Sequence, residues 1–89
     1  MKYKIVLTKK AKGDFLLLQN NVQKQMAEKL RFYINQPNPL HYSKKLKDSK
    51  HGTYRFRVGD YRAIFDLDRD GSIVILLILR IKHRKEVYL

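Results

Sequence analysis

The feature that most restricts the fold of this chain is the apolar segment 73–79, which reads Ile-Val-Ile-Leu-Leu-Ile-Leu. An uninterrupted apolar run of this length gives a β-strand two hydrophobic faces, and both of them must be kept from water. An exposed edge strand with this composition would promote aggregation. The segment therefore predicts a central strand covered on each side, and the rest of the chain must supply its neighbours.

Two amphipathic helices are predicted in the first half of the chain. The first runs from about residue 9 to residue 18, with Thr8 as its cap. The second is more regular and must end before Pro37, because proline disfavours helical conformation in the residue that precedes it. The apolar stripe of the first helix comprises Ala11, Phe15 and Leu18, and that of the second comprises Val22, Met26, Leu30 and Tyr33.

Elsewhere the apolar residues recur with a period of two, which is typical of strands. Residues 3–7 predict a first strand, whereas 36–52 reads as a polar connection. From Thr53 onward, Gly59-Asp60 and the segment 68–71 are typical of hairpin turns and divide the remainder into three strands. The order strand, helix, helix and three strands predicts an α+β fold, in which a helical hairpin packs on one face of a mostly antiparallel sheet.

Positive charge is the strongest functional signal. The chain is short enough to be one domain, spanning 1–89, and its 20 Lys and Arg against 8 Asp and Glu give a formal net charge of +12. Such a field favours nucleic acid as a partner over a membrane surface or an acidic protein. We expect Arg55, Arg57 and Arg62 to line a groove on the bare face of the sheet. The arginines after residue 50 are Arg55, Arg57, Arg62, Arg69, Arg80 and Arg84.

Residue content excludes several kinds of site. The chain has no cysteine, which rules out disulfides and thiolate chemistry and fits a reducing cytoplasm. Its histidines lack metal-like spacing, and the acidic residues of 66–70 are ordinary turn chemistry, so no metal or other cofactor is expected. No segment reaches the roughly 20 apolar residues of a membrane span, and the N-terminal stretch lacks the apolar core of a signal peptide. We expect a soluble, cytoplasmic protein that does not bind membranes.

The remaining residues suit RNA chemistry without a metal. Arginine and lysine can hold the extra charge of a phosphorane-like transition state, and histidine can transfer protons near neutral pH. Tyr61 and Tyr88 can stack on unpaired bases. Because many basic sheets bind RNA without cutting it, the residues alone predict an RNA-binding domain and leave catalysis open.

Two segments resemble the RelE/ParE toxins of type II toxin–antitoxin systems. The stretch 52–65, GTYRFRVGDYRAIF, is similar to the core motif of that family, and 83–88, HRKEVY, is similar to its C-terminal motif. The preceding Lys45-Leu46-Lys47 also fits the family. The resemblance implies a toxin that is paired with a cognate antitoxin. RelE-like members enter the ribosomal A site and cut the messenger RNA there, leaving a 2′,3′-cyclic phosphate and a 5′-hydroxyl.

The resemblance also implies roles for individual residues. Arg62 matches an arginine that stabilises the scissile phosphate, and Arg55 and Arg57 match basic residues that hold the RNA backbone. Tyr88 matches a tyrosine that stacks on or orients the substrate, and either His83 or Arg84 stands where members place a second catalytic cation or acid. The predicted catalytic residues are Arg55, Arg57, Arg62, His83 and Tyr88, and the predicted RNA contacts are Lys45, Lys47, Arg80, Lys82 and Arg84.

The general base and the target stay open at this point. Some family members carry lysine at the positions of Arg55 and Arg57, and arginine is hard to deprotonate, so His83 and Lys82 are candidates for the base. A ParE-like toxin of the same fold that inhibits DNA gyrase is the first alternative function. A non-catalytic module that binds nucleic acid or protein is the second.

Overall fold

The fold is an α+β arrangement of one sheet and a helical hairpin, seen in a computed structural model that describes residues 2–46 and 53–87, with Val87 described for its backbone only. The strands are β1 (Lys2–Leu7), β2 (Ser43–Lys45), β3 (Tyr54–Val58), β4 (Tyr61–Asp70) and β5 (Ile73–His83). The helices are α1 (Lys9–Leu16), α2 (Asn20–Ile34) and the short α3 (Arg84–Val87), and a 3-10 turn spans Pro39–Tyr42.

The five strands form one sheet in the order β1-β5-β4-β3-β2. β1 runs parallel to β5, and the other neighbours are antiparallel. The apolar run therefore lies in a central strand, as its composition predicts. Alternate residues of β5 from Val74 to Ile78 are buried in the core, whereas Ile75, Leu77 and Leu79 on the other face are half-buried. Coverage of that second face is partial because α1 and α2 both pack on the first.

The helical hairpin forms as its apolar stripes predict. The Thr8 hydroxyl caps α1 by accepting a hydrogen bond from the Ala11 amide, and it donates another to the Leu79 carbonyl of β5. α2 ends at Ile34, before the proline-containing turn. The core that the helices share with the sheet comprises Ala11, Met26, Leu30, Tyr33, Phe56, Val58, Ala63, Phe65, Val74, Leu76, Ile78 and Ile81.

Two details differ from the sequence-based expectation. The predicted polar connection contains the 3-10 turn and β2, because Ser43–Lys45 pairs with β3. The second hairpin turn does not begin at residue 68, since β4 continues to Asp70 and pairs there with Ile73. Gly71 has φ +60, and its left-handed backbone places the reversal at that residue rather than within the acidic run.

The first hairpin gives a stability prediction. Gly59 has φ +59, and a Cβ atom at this position would lie 3.5 Å from side-chain atoms of Gln25. We expect Gly59→Ala to lower the free energy of unfolding in urea by about 1 kcal/mol, because alanine is strained in the left-handed region. Gly13→Ala is the control: Gly13 lies exposed within α1 with nothing near its Cβ position, and the change should stabilise the helix by up to about 1 kcal/mol. Equal stability of the wild-type and Gly59→Ala proteins would contradict this account.

Candidate nucleic-acid interface

The face of the sheet opposite the helices carries a cationic groove beside the β3–β4 hairpin. The strand register places Arg55 beside Lys44 and Arg57 beside Arg62. Side chains alternate along a strand, so these four project from one face while Phe56 enters the core on the other. The cavity has a volume of about 380 Å³ and is called the guanidinium groove below. It is lined by Tyr42, Lys44, Arg55, Arg57 and Arg62.

Arg62 is the most buried cation of the groove, with only 6% of the residue exposed. Its Nη1 atom donates hydrogen bonds to the Gly59 and Tyr61 carbonyl oxygens, each at 2.9 Å. The side chain therefore ties down the hairpin turn as well as lining the groove. Because guanidinium is not deprotonated in proteins, this position keeps a permanent positive charge in a partly desolvated place, where its attraction for an anion is strengthened.

The wall of the groove next to Arg57 is fixed by α2 and the 3-10 turn. The Tyr33 hydroxyl donates a hydrogen bond of 3.1 Å to the Arg57 carbonyl oxygen. Burial, and to a lesser degree the neighbouring Tyr42, raises the pKa of Tyr33 above its ordinary value, so the phenol remains a donor. The Asn38 side chain caps the turn by accepting from the Leu40 amide. These contacts position Tyr42 at the edge of the groove.

A second cavity of about 270 Å³, called the end cleft, lies at the C-terminal end of β5. Tyr61 packs against the core, and His83 is its register partner, with the two rings 5.3 Å apart and nearly perpendicular. His83 therefore lies on the helix-bearing face, whereas Arg57 and Arg62 lie on the opposite one. The end cleft is lined by Asp14, Leu17, Leu18, Tyr61, Arg80, Ile81, Lys82, His83 and Glu86.

Arg80 belongs to the end cleft and pairs with Asp14 of α1. Its Nε and Nη2 atoms donate to the two carboxylate oxygens at 2.8 and 3.0 Å, and the Ile81 amide donates to Oδ2 at 2.9 Å. Burial alone would raise the pKa of Asp14, but the hydrogen bonds from Arg80 and Ile81 and the charges of Arg80 and Lys82 outweigh it and lower the pKa. The hydrogen bond with Asp14 raises the pKa of Arg80 in turn. This pair joins α1 to the end of β5.

The other residues predicted for the site are dispersed, except that Lys82 is the register partner of Arg62. Lys82 forms an ion pair of 3.6 Å with Glu86, and Arg84 forms one of 3.7 Å with Asp60. Lys45 is exposed and, one residue after Lys44, projects from the opposite face of β2. Lys47 and Tyr88 lie outside the described residues. The structure thus brings together Arg55, Arg57 and Arg62 and separates them from Arg80 and His83.

The sequence analysis missed two residues of the groove, Tyr42 and Lys44. The two-residue spacing of Tyr42 and Lys44 is visible in the sequence. It places them on the same face as Arg55 only once β2 is known to pair with β3. Among residues 2–46 and 53–87, no three His, Asp or Glu side chains form a group that could hold a metal ion. No helix within the same residues has the length and apolar character needed to cross a membrane.

The fold and the groove define a small basic α+β domain with a cationic groove on one face of its sheet. Comparison with protein families agrees with this description. The family model described as the ParE toxin of the type II toxin-antitoxin system, parDE, matches residues 5–88. The chain belongs to the RelE/ParE family of type II toxin–antitoxin toxins, which confirms the resemblance seen in its motifs. No curated protein sequence matches the chain significantly.

Two solved structures share the fold. The toxin–antitoxin complex RelBE2 from Mycobacterium tuberculosis matches with a TM-score of 0.73 and 26% identity, covering 94% of this chain and 100% of that one. The RelB–RelE antitoxin–toxin complex from Methanococcus jannaschii matches with a TM-score of 0.61 and 25% identity, covering 93% and 94%. The similarity therefore extends over nearly the whole of each matched chain.

Proposed function

We propose that this toxin is a cytoplasmic, ribosome-dependent endoribonuclease that cuts messenger RNA in the A site without a metal or another cofactor. The observation that supports the proposal most directly is the convergence of Lys44, Arg55, Arg57 and Arg62 on one groove of the sheet. Guanidinium groups pair with phosphate through two parallel hydrogen bonds, which fixes geometry as well as charge. A groove with several such groups is suited to the backbone of a single RNA strand.

The proposed reaction is an in-line transesterification. The 2′-oxygen attacks the adjacent phosphorus and forms a P–O2′ bond, while the P–O5′ bond breaks. The 2′-hydroxyl gives its proton to a base and the 5′-oxygen gains one, so the products are a 2′,3′-cyclic phosphate and a 5′-hydroxyl. Arg55 and Arg57 hold the backbone, and Arg62 at the base of the groove stabilises the extra negative charge on the phosphate.

Lys44 is the group of the groove best suited to act as the general base. Arginine does not release its proton in proteins, whereas lysine can, and Lys44 is the one lysine among the described residues that line the groove. Of the two candidates from the sequence, His83 contacts Tyr61 on the helix-bearing face, and Lys82, although it is the register partner of Arg62, pairs with Glu86. Lys44 is the register partner of Arg55, which holds the backbone in this proposal.

A cognate antitoxin is the proposed protein partner, in addition to the ribosome and its message. Both matched structures are toxin–antitoxin complexes, and a net charge of +12 favours an acidic partner. We expect a partly disordered acidic segment that folds over the basic surface on binding. Co-expression with the product of a neighbouring small gene should yield a stable complex, and failure to isolate one would count against this partner.

Gyrase inhibition is the second candidate function, because the matching family model is that of the ParE toxin. A ParE-like toxin would block supercoiling by DNA gyrase and leave messages intact. The guanidinium groove favours the ribonuclease, since its cations are grouped around one place as a phosphate-transfer reaction requires. A non-catalytic binding module would leave both messages and supercoiling unaffected.

The mechanism is tested with a message whose A-site codon carries 2′-O-methyl groups. Ribosomes programmed with the unmodified message should yield fragments that end in a 2′,3′-cyclic phosphate. The modified message should remain whole, because a methylated 2′-oxygen has no proton to give to a base and cannot attack the adjacent phosphorus. Cleavage of the modified message at the same codon would overturn the mechanism.

The proposed contact between Arg57 and an RNA phosphate gives a further prediction. Arg57→Ala should weaken binding of a non-cleavable single-stranded RNA and reduce the slope of log K against log salt concentration by about 0.7, the value for one lost phosphate contact on a single strand. Arg69→Ala is the matched control, since Arg69 is also an exposed strand arginine but lies outside the groove. Equal slopes for the wild type and Arg57→Ala would contradict a phosphate contact at this residue.

A further inference from the structure

Tyr42, a residue outside the sequence-predicted site, forms one side of the guanidinium groove. It is the last residue of the 3-10 turn and 45% of it is exposed. Among residues 2–46 and 53–87, the other lining residues of the groove are all cations, so Tyr42 is the one aromatic side chain that this part of the chain contributes to it. An aromatic ring beside several phosphate-binding groups is the arrangement by which proteins hold single-stranded nucleic acid, with the ring taking a base.

The ring of Tyr42 is held in place by an aromatic cluster that reaches the core. It packs 5.3 Å from Tyr33 at 30° and meets Phe32 edge to face at 5.7 Å. Tyr33 stacks on the fully buried Phe56 at 4.6 Å and bonds the Arg57 carbonyl. Because these neighbours fix the ring before any ligand arrives, little conformational entropy is lost when a planar partner stacks on it.

The hydrogen bonding of the Tyr42 hydroxyl group explains neither the position nor the exposure of the Tyr42 ring. Its contact with Gln36 Oε1, at 3.5 Å, is at the limit of a hydrogen bond. Tyr42 leaves nearly half of its surface open beside Lys44, Arg55 and Arg57.

We infer that Tyr42 is a stacking platform for one unpaired nucleobase of an RNA strand whose phosphates occupy the guanidinium groove. The choice of RNA rests on the proposed function, whereas the platform itself rests on the geometry of the ring. Stacking tolerates every base because each has a π-face, so the platform adds affinity and positions the strand without imposing a sequence.

The test uses a short RNA that carries 2′-O-methyl groups throughout and 2-aminopurine at one position, moved along the strand. The base that stacks on Tyr42 should show quenched fluorescence with the wild-type protein. Tyr42→Leu, which keeps apolar cover over Phe32 and Tyr33, should abolish the quenching and weaken binding about tenfold, whereas Tyr42→Phe should stay within about twofold of the wild type because it retains the ring. A Tyr42→Leu protein that binds and quenches like the wild type would overturn the inference.

A second arm changes the RNA instead of the protein, so its first measurement uses only the wild-type protein. Replacing the quenched base by an abasic nucleotide should weaken binding to the wild-type protein by the same factor as Tyr42→Leu. Binding of the abasic RNA to Tyr42→Leu should be no weaker than the binding seen with either change alone, as expected when the two changes remove partners of one contact. Wild-type protein that binds abasic and complete RNA equally well at every position would overturn the platform.

The outcomes separate this inference from the proposed function. If Arg57→Ala weakens RNA binding and Tyr42→Leu does not, the groove binds RNA but the stacking inference is wrong. If Tyr42→Leu removes the quenching and yet the wild type leaves messages whole on ribosomes, the platform stands and the endoribonuclease proposal fails. An absence of RNA binding by the wild type at low salt would overturn the inference.

Discussion

Arg62→Ala is expected to lower the rate of message cleavage on ribosomes by about 100- to 1,000-fold, the effect of removing one group that stabilises transition-state charge. Arg62 places a permanent cation at the buried base of the guanidinium groove, with 6% of the residue exposed. No other described side chain in the groove is held there by comparable burial, so the lost charge is not replaced. The rate is measured by single-turnover cleavage at saturating toxin, which separates the chemical step from binding.

Arg62 also stabilises the fold, so the cleavage assay must use a variant that is folded. Arg62 Nη1 also bonds the Gly59 and Tyr61 carbonyl oxygens, and losing these charged hydrogen bonds should lower the free energy of unfolding by about 2 kcal/mol. The assay therefore needs a temperature at which circular dichroism shows the variant to be folded. Arg69→Ala should cleave at the wild-type rate. A folded Arg62→Ala protein that cuts as fast as the wild type would remove Arg62 from the mechanism.

Asp14→Ala has the second large expected effect, on stability. The carboxylate of Asp14 accepts hydrogen bonds from Arg80 and from the Ile81 amide. Removing it leaves a partly buried guanidinium and a backbone donor without this acceptor. We expect the free energy of unfolding at pH 7 to fall by about 2 kcal/mol, measured by urea denaturation.

The contribution of Asp14 should depend on pH in a definite direction. The pKa of Asp14 is lowered in the folded protein, although burial opposes the shift, while the unfolded chain has a pKa of about 3.9. A lowered folded-state pKa means that the stabilisation is complete above the unfolded value and is lost as pH falls through the folded one. The difference between wild type and Asp14→Ala should therefore be constant from about pH 6 to pH 7 and shrink below about pH 4.

The control for Asp14 is Asp70→Asn, which removes an exposed carboxylate at the end of β4. It should change stability by less than about 0.5 kcal/mol at either pH. A difference between wild type and Asp14→Ala that grew as the pH was lowered would contradict the ion pair as the source of the stabilisation.

Much of the fold follows from periodicity that is visible in the sequence. The stripes from Ala11 and from Val22 predict α1 and α2, and the run 73–79 predicts the central strand. β2 gave no such signal, because three polar residues have no hydrophobic period and pair only where β3 offers an edge. The outer end of β4 is charged and exposed on both faces, so pairing with β5, rather than burial, decides its length.

The candidate site was predictable where it depended on alternation along one strand. Arg55 and Arg57 flank the buried Phe56, which places them together on the other face. The position of Arg80 was not predictable in this way, because its partner Asp14 is 66 residues away in the chain. A register irregularity at Ile64/Phe65 also shifts the pairing of β5, and counting residues along the strand does not reveal it.

The most direct test of the central claim maps message ends on programmed ribosomes incubated with the purified toxin, with Arg62→Ala as a matched sample. Cleavage within the A-site codon, absent with Arg62→Ala and absent on free message, is the predicted result. Messages that remain whole under these conditions, together with blocked supercoiling by DNA gyrase, would contradict the claim and assign the toxin to gyrase inhibition.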